Sequence, residues 1–327
     1  MKLRAALFGV VLLAATAGVK VPGVSGQGLD AIILQCGTLS STSASDRCVE
    51  SGVGAQAILA QTGLAFSLGS EVAGSASTLG RRLGTSPRIA FSVRAGAVQG
   101  RIPDIVTRGT NTAAAPELGF LLPTVHTSVT VGLFDGFKLA PTAGGFLSVD
   151  VTAGAALAFL PASQGFAGTV TALSGAARIG LLRETFTLPG ITLSAAHRRG
   201  QEVRFGDVEA GGPSIAVDPS VTSLRLTIGK DLVSVGILGG LGWDDYSGSA
   251  RLGLIDGTGL PAGAVEQSIN AGRMLVFGGT SLTFLVLQLS IEAGWAEGLS
   301  TTPSYQSAPF DPSGGSVFAS LSARLTL

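Results

Sequence analysis

The residues in this sequence best suited to chemistry are a histidine and a serine separated by one position, His126 and Ser128. On a β-strand this spacing puts both side chains on one face, because successive side chains point to opposite sides. A histidine within reach of a serine can act as the base that activates the hydroxyl group as a nucleophile. The other histidine, His197, stands beside Arg198 and Arg199 at a predicted strand end, where we expect it to be solvated.

The segment His126-Thr127-Ser128 resembles the His-x-Ser arrangement of outer-membrane phospholipases and lipid A deacylases. In that arrangement the motif continues with Asn-Gly or a close variant, whereas Val129-Thr130 follows here. His126 also falls on the predicted inward face of its strand, which is the wrong side for an attack on membrane lipid. We therefore expect no enzymatic activity and assign no catalytic residue.

The sequence offers little else that would hold a cofactor, a metal ion or a nucleic acid. The carboxylate pair Asp244-Asp245 lies at a predicted loop start, where polar residues are common. Asp104 and Glu117 are too few to form a calcium site. Basic and acidic residues number 21 each, a balance that argues against the clustered positive charge of a nucleic-acid surface. We expect no cofactor, no metal ion and no nucleic-acid partner.

The last stretch of the chain indicates what kind of element positions these residues. From Val317 to Leu327 every second residue is apolar and most of the residues between them are polar, which predicts a β-strand with one apolar face. Such a strand at the end of a chain resembles the closing strand of bacterial outer-membrane β-barrels, although Leu327 stands where an aromatic residue is usual. The residues that carry this assembly signal are Leu321, Ala323, Leu325 and Leu327.

The resemblance implies an outer-membrane location, contact with outer-membrane lipids and recognition by the barrel-assembly machinery. Composition agrees with it, because hydrophobic residues make up 46% of the chain without an internal run near the ~20 apolar residues of a membrane-spanning helix. A closed barrel explains such a composition, since it satisfies every backbone group inside a bilayer. The alternative is a soluble, glycine-rich β-protein such as a sandwich or a solenoid.

The amino-terminal residues have the pattern of a secretory signal peptide. Lys2 and Arg4 precede an apolar stretch from Ala5 to Gly18, and small residues at Val24-Ser25-Gly26 offer a cleavage site. Residues 1–26 would then be removed on export from a Gram-negative-type cytoplasm, and the mature chain would enter an oxidising compartment.

From Pro87 onward the sequence shows ten segments that alternate between apolar and polar residues. Connections of greater and lesser length also alternate, with tight turns predicted at Gly229–Asp231 and Gly278–Thr280 and a long loop over Tyr246–Asn270. Long outer loops and short periplasmic turns are typical of outer-membrane barrels. We therefore predict an all-β, up-and-down antiparallel transmembrane barrel over residues 87–327, with about ten strands (range 8–14).

Residues 27–86 differ from the rest because they are rich in Gly, Ala and Ser and contain no clear pair of strands. We expect an irregular, partly helical plug or periplasmic cap, with a short helix at Val53–Gln61; an extra hairpin of the barrel remains the alternative. A Gly/Ala-rich segment before a barrel is similar to the long-chain fatty-acid transporter family, where it plugs the lumen. Cys36 and Cys48, the only cysteines, predict a disulfide in an exported chain.

A charged side chain on the lipid-facing side of a barrel costs about 2–4 kcal/mol at mid-membrane. We therefore predict that the charged residues on the polar strand faces line the lumen: Arg88, Arg94, Asp150, Arg178, Arg225, Glu292 and Arg324. They would act either as internal ion pairs that hold the barrel or as a selectivity lining. Aromatic residues at strand ends are predicted to lie at the membrane interfaces: Phe134, Phe159, Trp243 and Trp295.

Two functions of different class remain open from the sequence. The first is a passive channel or transporter for a small, apolar solute. The second is a non-transporting barrel with a role in envelope structure, adhesion or another surface interaction. The shape of the lumen decides between them, because a passive channel needs an open path.

Overall fold

The computed structural model describes residues 28–39, 42–82, 86–108, 114–138, 144–206, 212–255, 260–299 and 310–327. The predicted signal peptide lies outside these residues. The described chain begins with two helices, α1 (Leu29–Cys36) and α2 (Thr42–Phe66). The helix predicted at Val53–Gln61 is thus the central part of a longer one. Among the described residues, no helix is both long and apolar enough to cross a bilayer.

Ten antiparallel strands follow and close into a barrel, which confirms the predicted fold class. Each strand pairs with its neighbours in the chain, and the last strand pairs with the first. The strands are β1 (Ile89–Pro103), β2 (Glu117–Phe134), β3 (Ser148–Phe159), β4 (Thr169–Leu182), β5 (Gly190–Gly200), β6 (Ser220–Leu232), β7 (Val235–Ile255), β8 (Pro261–Phe284), β9 (Leu287–Ala296) and β10 (Ser316–Thr326).

Smaller elements of secondary structure lie at the ends of the barrel. A helical turn, α3 (Ile105–Arg108), follows β1, and a 3-10 turn at Ala162–Gln164 follows β3. The short strands Val203–Gly206 and Ser214–Val217 form a hairpin. Its second strand pairs with residues 250–253 of β7. The two-residue strands Arg81–Arg82 and Ser86–Pro87 pair with each other just before β1.

The two faces of the barrel wall differ in chemistry. On β6, Leu224, Leu226 and Ile228 are exposed on the outside, whereas Ser223 and Arg225 are buried on the inside. On β10, Leu321 and Leu325 are exposed on the outer face, as is Leu327 directly after the strand, and Ser320 and Arg324 are buried. An apolar exterior around a polar interior is the arrangement of transmembrane β-barrels, since charges on the lipid side are costly. The chain therefore has the architecture of an outer-membrane β-barrel, as its closing strand predicted.

Two tight turns lie a few residues beyond their predicted positions. Gly229–Asp231 and Gly278–Thr280 are inside β6 and β8, and the turns are the two-residue connections that follow these strands. Val233 and Leu285 are the first residues of these turns, with φ of 62° and 54°. The sequence did not indicate these turns, because the apolar alternation continues across them. Neither turn has a glycine at the position with positive φ.

Within the predicted long loop Tyr246–Asn270, residues 246–255 and 261–270 are strand. β7 continues to Ile255 and β8 begins at Pro261, so the hairpin extends well past the other strands. Its inner face is covered, and Tyr246, Leu252, Val265 and Ile269 are buried there. Glycine and serine in this stretch resemble loop composition, but the buried apolar residues between them keep the strand pairing intact.

The barrel has two distinct ends. β1 begins and β10 ends at the same end, where the backbones of Ile89 and Leu327 exchange hydrogen bonds of 2.8 and 3.3 Å. The two-residue turns after β6 and β8 are also at this end, whereas β1, β5 and β9 end, and β2, β6 and β10 begin, at the other. Because short turns are periplasmic and long loops extracellular in such barrels, we call these the periplasmic end and the outer end.

Candidate functional site: the filled lumen

The amino-terminal segment lies inside the barrel. We call residues 28–80 the plug. Helix α2 packs against the inner faces of β1, β2, β3, β7 and β8. Gly63 of this helix lies directly against the Tyr246 ring, so no larger side chain would fit there. The apolar core is therefore formed between helix and wall, with Val53, Ile58, Leu59 and Leu64 completely buried.

The plug runs through the lumen in one direction, from the outer end to the periplasmic end. At its start, Gly28 lies against the backbone of Ser268, and Gln35 Nε2 donates to Gln267 Oε1 at 3.4 Å, both on the outer half of β8. At its other end, the Arg81 N–H that follows it donates to Asp135 Oδ1 at 2.7 Å, just past β2. The chain thus crosses the whole lumen before β1 begins.

A disulfide joins Cys36, at the end of α1, to Cys48, near the start of α2, which confirms the predicted bond. Both cysteines are completely buried. The bond closes a small loop and holds the two helices together at the outer end of the plug. In the chain-entropy model a loop of this size contributes about 3 kcal/mol.

Charged residues of the inward wall are buried inside the barrel. Six of the seven residues predicted to line the lumen are in this group: Arg94, Asp150, Arg178, Arg225, Glu292 and Arg324. Ion pairs join Arg225 to Asp244 at 2.6 Å, Arg178 to Asp150 at 3.7 Å and Arg94 to Glu292 at 3.7 Å. Arg88 does not belong to the group, since it precedes β1 and its side chain is exposed at the periplasmic end.

The arginines of these pairs also hold the backbone of the plug. Arg225 donates to the carbonyl oxygens of Ser67 at 3.0 Å and Gly69 at 3.3 Å. Arg94 donates in the same way to Leu68 and Ser70, and Arg178 to Ser75 and Ser77. Each guanidinium of the three pairs therefore joins wall and plug, because it keeps donors that its carboxylate partner does not use. Arg273 of β8, outside these three pairs, donates to the Ala60 carbonyl oxygen.

The carboxylates of the wall bind the plug through its donors. Glu292 accepts the backbone N–H groups of Ser70 at 2.9 Å and Gly74 at 3.0 Å. Asp150 accepts the N–H of Leu79 at 2.8 Å, and Asp244 accepts the Ser67 hydroxyl at 2.7 Å. Backbone groups of an irregular segment need such partners when they are buried. The wall charges thus replace the secondary structure that residues 67–80 lack.

Several members of this network were not singled out in the sequence. Arg198 of β5 pairs with Glu71 of the plug at 2.6 Å. Arg273 of β8 donates to the Tyr246 hydroxyl at 3.1 Å, and that hydroxyl donates to Asp244 Oδ2 at 2.9 Å. Arg198 and Arg273 could have been found from the sequence, since each occupies an inward-facing position of its strand, between residues that point outward. Glu71 carries no such signal because it lies in the irregular part of the plug.

The space that remains in the centre of the lumen is small. A cavity of about 40 Å³ is lined by Glu71, Arg94, His126, Ser128 and Arg198, among others. It is polar and large enough for ordered water but not for an acyl chain. Ser128 Oγ is hydrogen-bonded to Ser92 Oγ at 2.6 Å, and His126 Nε2 to Thr124 Oγ1 at 3.2 Å. Both residues of the His-x-Ser pattern therefore face this enclosed space.

At the periplasmic end the plug contacts the connection between β4 and β5. The Glu184 N–H donates to Ser77 Oγ at 3.2 Å, and the Glu184 carboxylate lies 3.6 Å from Lys230 Nζ. Partial burial raises the pKa of Glu184, while the Asp231 N–H that it accepts lowers it in part. Within the described residues, no group of His, Cys, Asp and Glu could hold a metal ion.

The aromatic residues predicted for the membrane interfaces all lie on the outer face. Phe159 ends β3 and is exposed, Trp295 of β9 is exposed, and Trp243 of β7 is partly so. Phe134 reaches the outer face through a bulge between Gly132 and Phe134, which shifts the register of β2 against β3. Their depth in a bilayer stays a prediction.

Comparison with known proteins found similar folds but no relative by sequence. No family model and no curated protein matches the chain. Solved structures with a similar arrangement include the outer membrane protease OmpT from Escherichia coli (10% identity, 74% of this chain, 96% of that chain, TM-score 0.40). Another is the translocator domain of the autotransporter NalP from Neisseria meningitidis (9%, 73%, 88%, 0.41). A third is the toluene transporter TodX from Pseudomonas putida (7%, 73%, 88%, 0.26).

At these levels of similarity the comparisons carry no argument about function. The location follows from the barrel itself, which is closed, apolar on the outside and charged within. This chain is a protein of the bacterial outer membrane, where barrels of this architecture occur. Its exterior is suited to contact with membrane lipids.

Proposed function

We propose that this chain is a sealed, non-conducting barrel. It would anchor its long connections and its disulfide-linked amino-terminal helices at the outer surface of the cell. The observation that supports this most is the filled lumen. Helix α2 occupies its outer part, residues 67–80 occupy the rest, and the wall charges bind the backbone of both. A role in surface interaction or envelope integrity fits this arrangement.

A channel for a small apolar solute is the competing hypothesis, and the lumen argues against it. Ligand sites in proteins commonly have volumes of about 300–1,000 Å³, whereas the central cavity measures about 40 Å³. Its lining is charged and hydroxylic, which is unsuited to an apolar molecule. Solute passage would require the plug to leave, and that would expose several buried ion pairs at once. The same enclosure argues against catalysis by His126 and Ser128, because a lipid substrate has no access.

We expect the purified chain to be electrically silent in a planar lipid bilayer. Among the described residues, the plug and the buried wall charges fill the barrel interior, so insertion should not produce stepwise increases in current. The measurement is single-channel recording in 1 M KCl, a general high-conductance condition, with heat-modifiable gel migration to verify that the inserted protein is folded. Regular ohmic steps from folded protein would refute the proposal in favour of a channel.

We expect the amino-terminal helices to be accessible from outside the cell. An Asp30→Cys variant should react with a membrane-impermeant maleimide on intact cells, because Asp30 is exposed on α1 at the outer end. The matched control is Val233→Cys, whose position is fully exposed in the turn at the periplasmic end. It should react only after the outer membrane is opened. The reverse pattern would show that the barrel is oriented with α1 in the periplasm.

A further inference from the structure

One buried arginine of the lumen wall has no hydrogen-bond partner among the described residues. Arg324 lies on the inner face of β10 and is 9% exposed. Its Nε and Nη1 atoms are buried, and no described residue accepts a hydrogen bond from either of them. The other five wall arginines, at 94, 178, 198, 225 and 273, each donate to at least one carboxylate or carbonyl oxygen of the plug. Arg324 is therefore the exception in the network that joins wall and plug.

The residues directly beside Arg324 in the sheet supply no negative charge. Gln288 of β9 and Ser92 of β1 are its register partners on the two sides. Gln288 Nε2 donates to the carbonyl oxygen of Gly74 at 3.0 Å, and Gln288 Oε1 is buried without a partner. Ser92 Oγ shares a hydrogen bond of 2.6 Å with Ser128 Oγ. Both neighbours of Arg324 are thus neutral, and both are bonded to other groups.

The charged groups within range of Arg324 do not compensate its charge. The one that acts on it most strongly is the guanidinium of Arg178, which has the same sign. The acidic groups within range are Asp150, Asp231 and Glu292. Asp150 and Glu292 already pair with other arginines, and Asp231 is exposed beside the turn after β6. None of them lies within ion-pair distance of Arg324 among the described residues.

The arginines of the wall outnumber the carboxylates that pair with them. Within the described strands, six buried arginines face three buried carboxylates, and the plug adds the carboxylate of Glu71. One of the two arginines without a carboxylate partner is Arg273, whose guanidinium carbon lies 5.1 Å from the centre of the Tyr246 ring. The other is Arg324. Because a buried charge without a partner is strongly destabilising, an anion that reaches Arg324 would stabilise the folded barrel.

We propose that Arg324 binds one small monovalent anion of the chloride type in the periplasmic half of the lumen. β10 ends at the periplasmic end, so the ion reaches the site from the periplasm. Arg324 Nε and Nη1 donate to the ion, and the hydroxyl pair of Ser92 and Ser128 has one hydrogen left over for it. A water molecule would accept the same hydrogen bonds but would leave the guanidinium charge uncompensated. The site stands apart from the surface role proposed above, because it lies at the opposite end of the barrel.

The site can be tested by thermal unfolding of the full chain in a non-ionic detergent, with sodium chloride exchanged for sodium gluconate. Gluconate is bulkier than chloride, and equal ionic strength keeps the screening of surface charges the same. Chloride should raise the unfolding midpoint of the unmodified chain by about 3 °C or more. Arg324→Leu should lose this shift. Arg88→Leu, at an exposed arginine of the same end, is the matched control and should keep it.

Bromide, a heavier halide, gives a direct readout of the same site. Crystals of the unmodified chain grown in bromide should show anomalous scattering beside the Arg324 guanidinium, and this readout remains if Arg324→Leu fails to fold by heat-modifiable migration. Equal chloride shifts in the unmodified chain and in Arg324→Leu would overturn the proposal, as would the lack of bromide beside Arg324. Bromide at the site without any shift of the unfolding midpoint would show an adventitious ion only, which would overturn it as well.

Discussion

Replacement of Arg225 by leucine is expected to lower the free energy of unfolding by about 3–5 kcal/mol, the usual cost of leaving one partner of a buried ion pair alone. Arg225 is 1% exposed, and its loss leaves Asp244 buried without its cation. It also removes the donors to the carbonyls of Ser67 and Gly69. The measurement is urea unfolding of the detergent- or liposome-embedded barrel, followed by tryptophan fluorescence.

Two further variants isolate the cause of this loss. Arg199→Leu, at an exposed position of β5, should change the free energy of unfolding by no more than about 0.5 kcal/mol. Arg225→Leu combined with Asp244→Leu removes both buried charges and should recover part of the loss, because the unpaired carboxylate is no longer present. If Arg225→Leu and Arg199→Leu were equally harmless, the ion pairs would not hold the plug.

Deletion of residues 28–80 is expected to convert the silent barrel into an anion-selective pore. Within the described strands, the inward wall carries six buried arginines, at 94, 178, 198, 225, 273 and 324, against three buried carboxylates, Asp150, Asp244 and Glu292. Without the plug these groups would line a water-filled lumen with an excess of positive charge, which favours anions. The measurement is the reversal potential under a KCl gradient. Folded plugless protein that stays silent, or that prefers cations, would contradict this account of the interior.

Sequence alternation predicted the strands because one face of each strand must meet lipid and the other must not. On β10 this rule is followed from Val317 to Leu325, and the strand ends only one residue before the chain does. The rule fails where its physical cause is absent. The turns at Val233 and Leu285 face solvent at the membrane edge, so their apolar residues carry no information about strand pairing.

The site was harder to derive, because its contacts join residues far apart in the chain. The alternation of residues along β1 predicts that Arg94 faces inward. No feature of the neighbouring sequence indicates that its guanidinium donates to the carbonyl oxygens of Leu68 and Ser70. The plug itself has no periodic pattern after Phe66. Its conformation is fixed by the wall, with donors such as the N–H groups of Ser70 and Gly74 converging on the Glu292 carboxylate. The conformation of such a segment cannot be predicted from its own residues, because it depends on contacts with residues far away in the chain.

The central claim, that residues 67–80 occupy the lumen, is tested most directly by a disulfide cross-link between plug and wall. Thr78 Oγ1 and Ser148 Oγ are 2.6 Å apart, and both side chains are buried. A matched pair within the wall, Ser92 and Ser128, has the same 2.6 Å separation and reports only that the barrel has formed. We predict that Thr78→Cys/Ser148→Cys and Ser92→Cys/Ser128→Cys both form their disulfides in membrane-embedded protein, as detected by mass spectrometry of unreduced peptides. A wall pair that links while the Thr78/Ser148 pair stays as two free thiols would contradict a plug in the lumen.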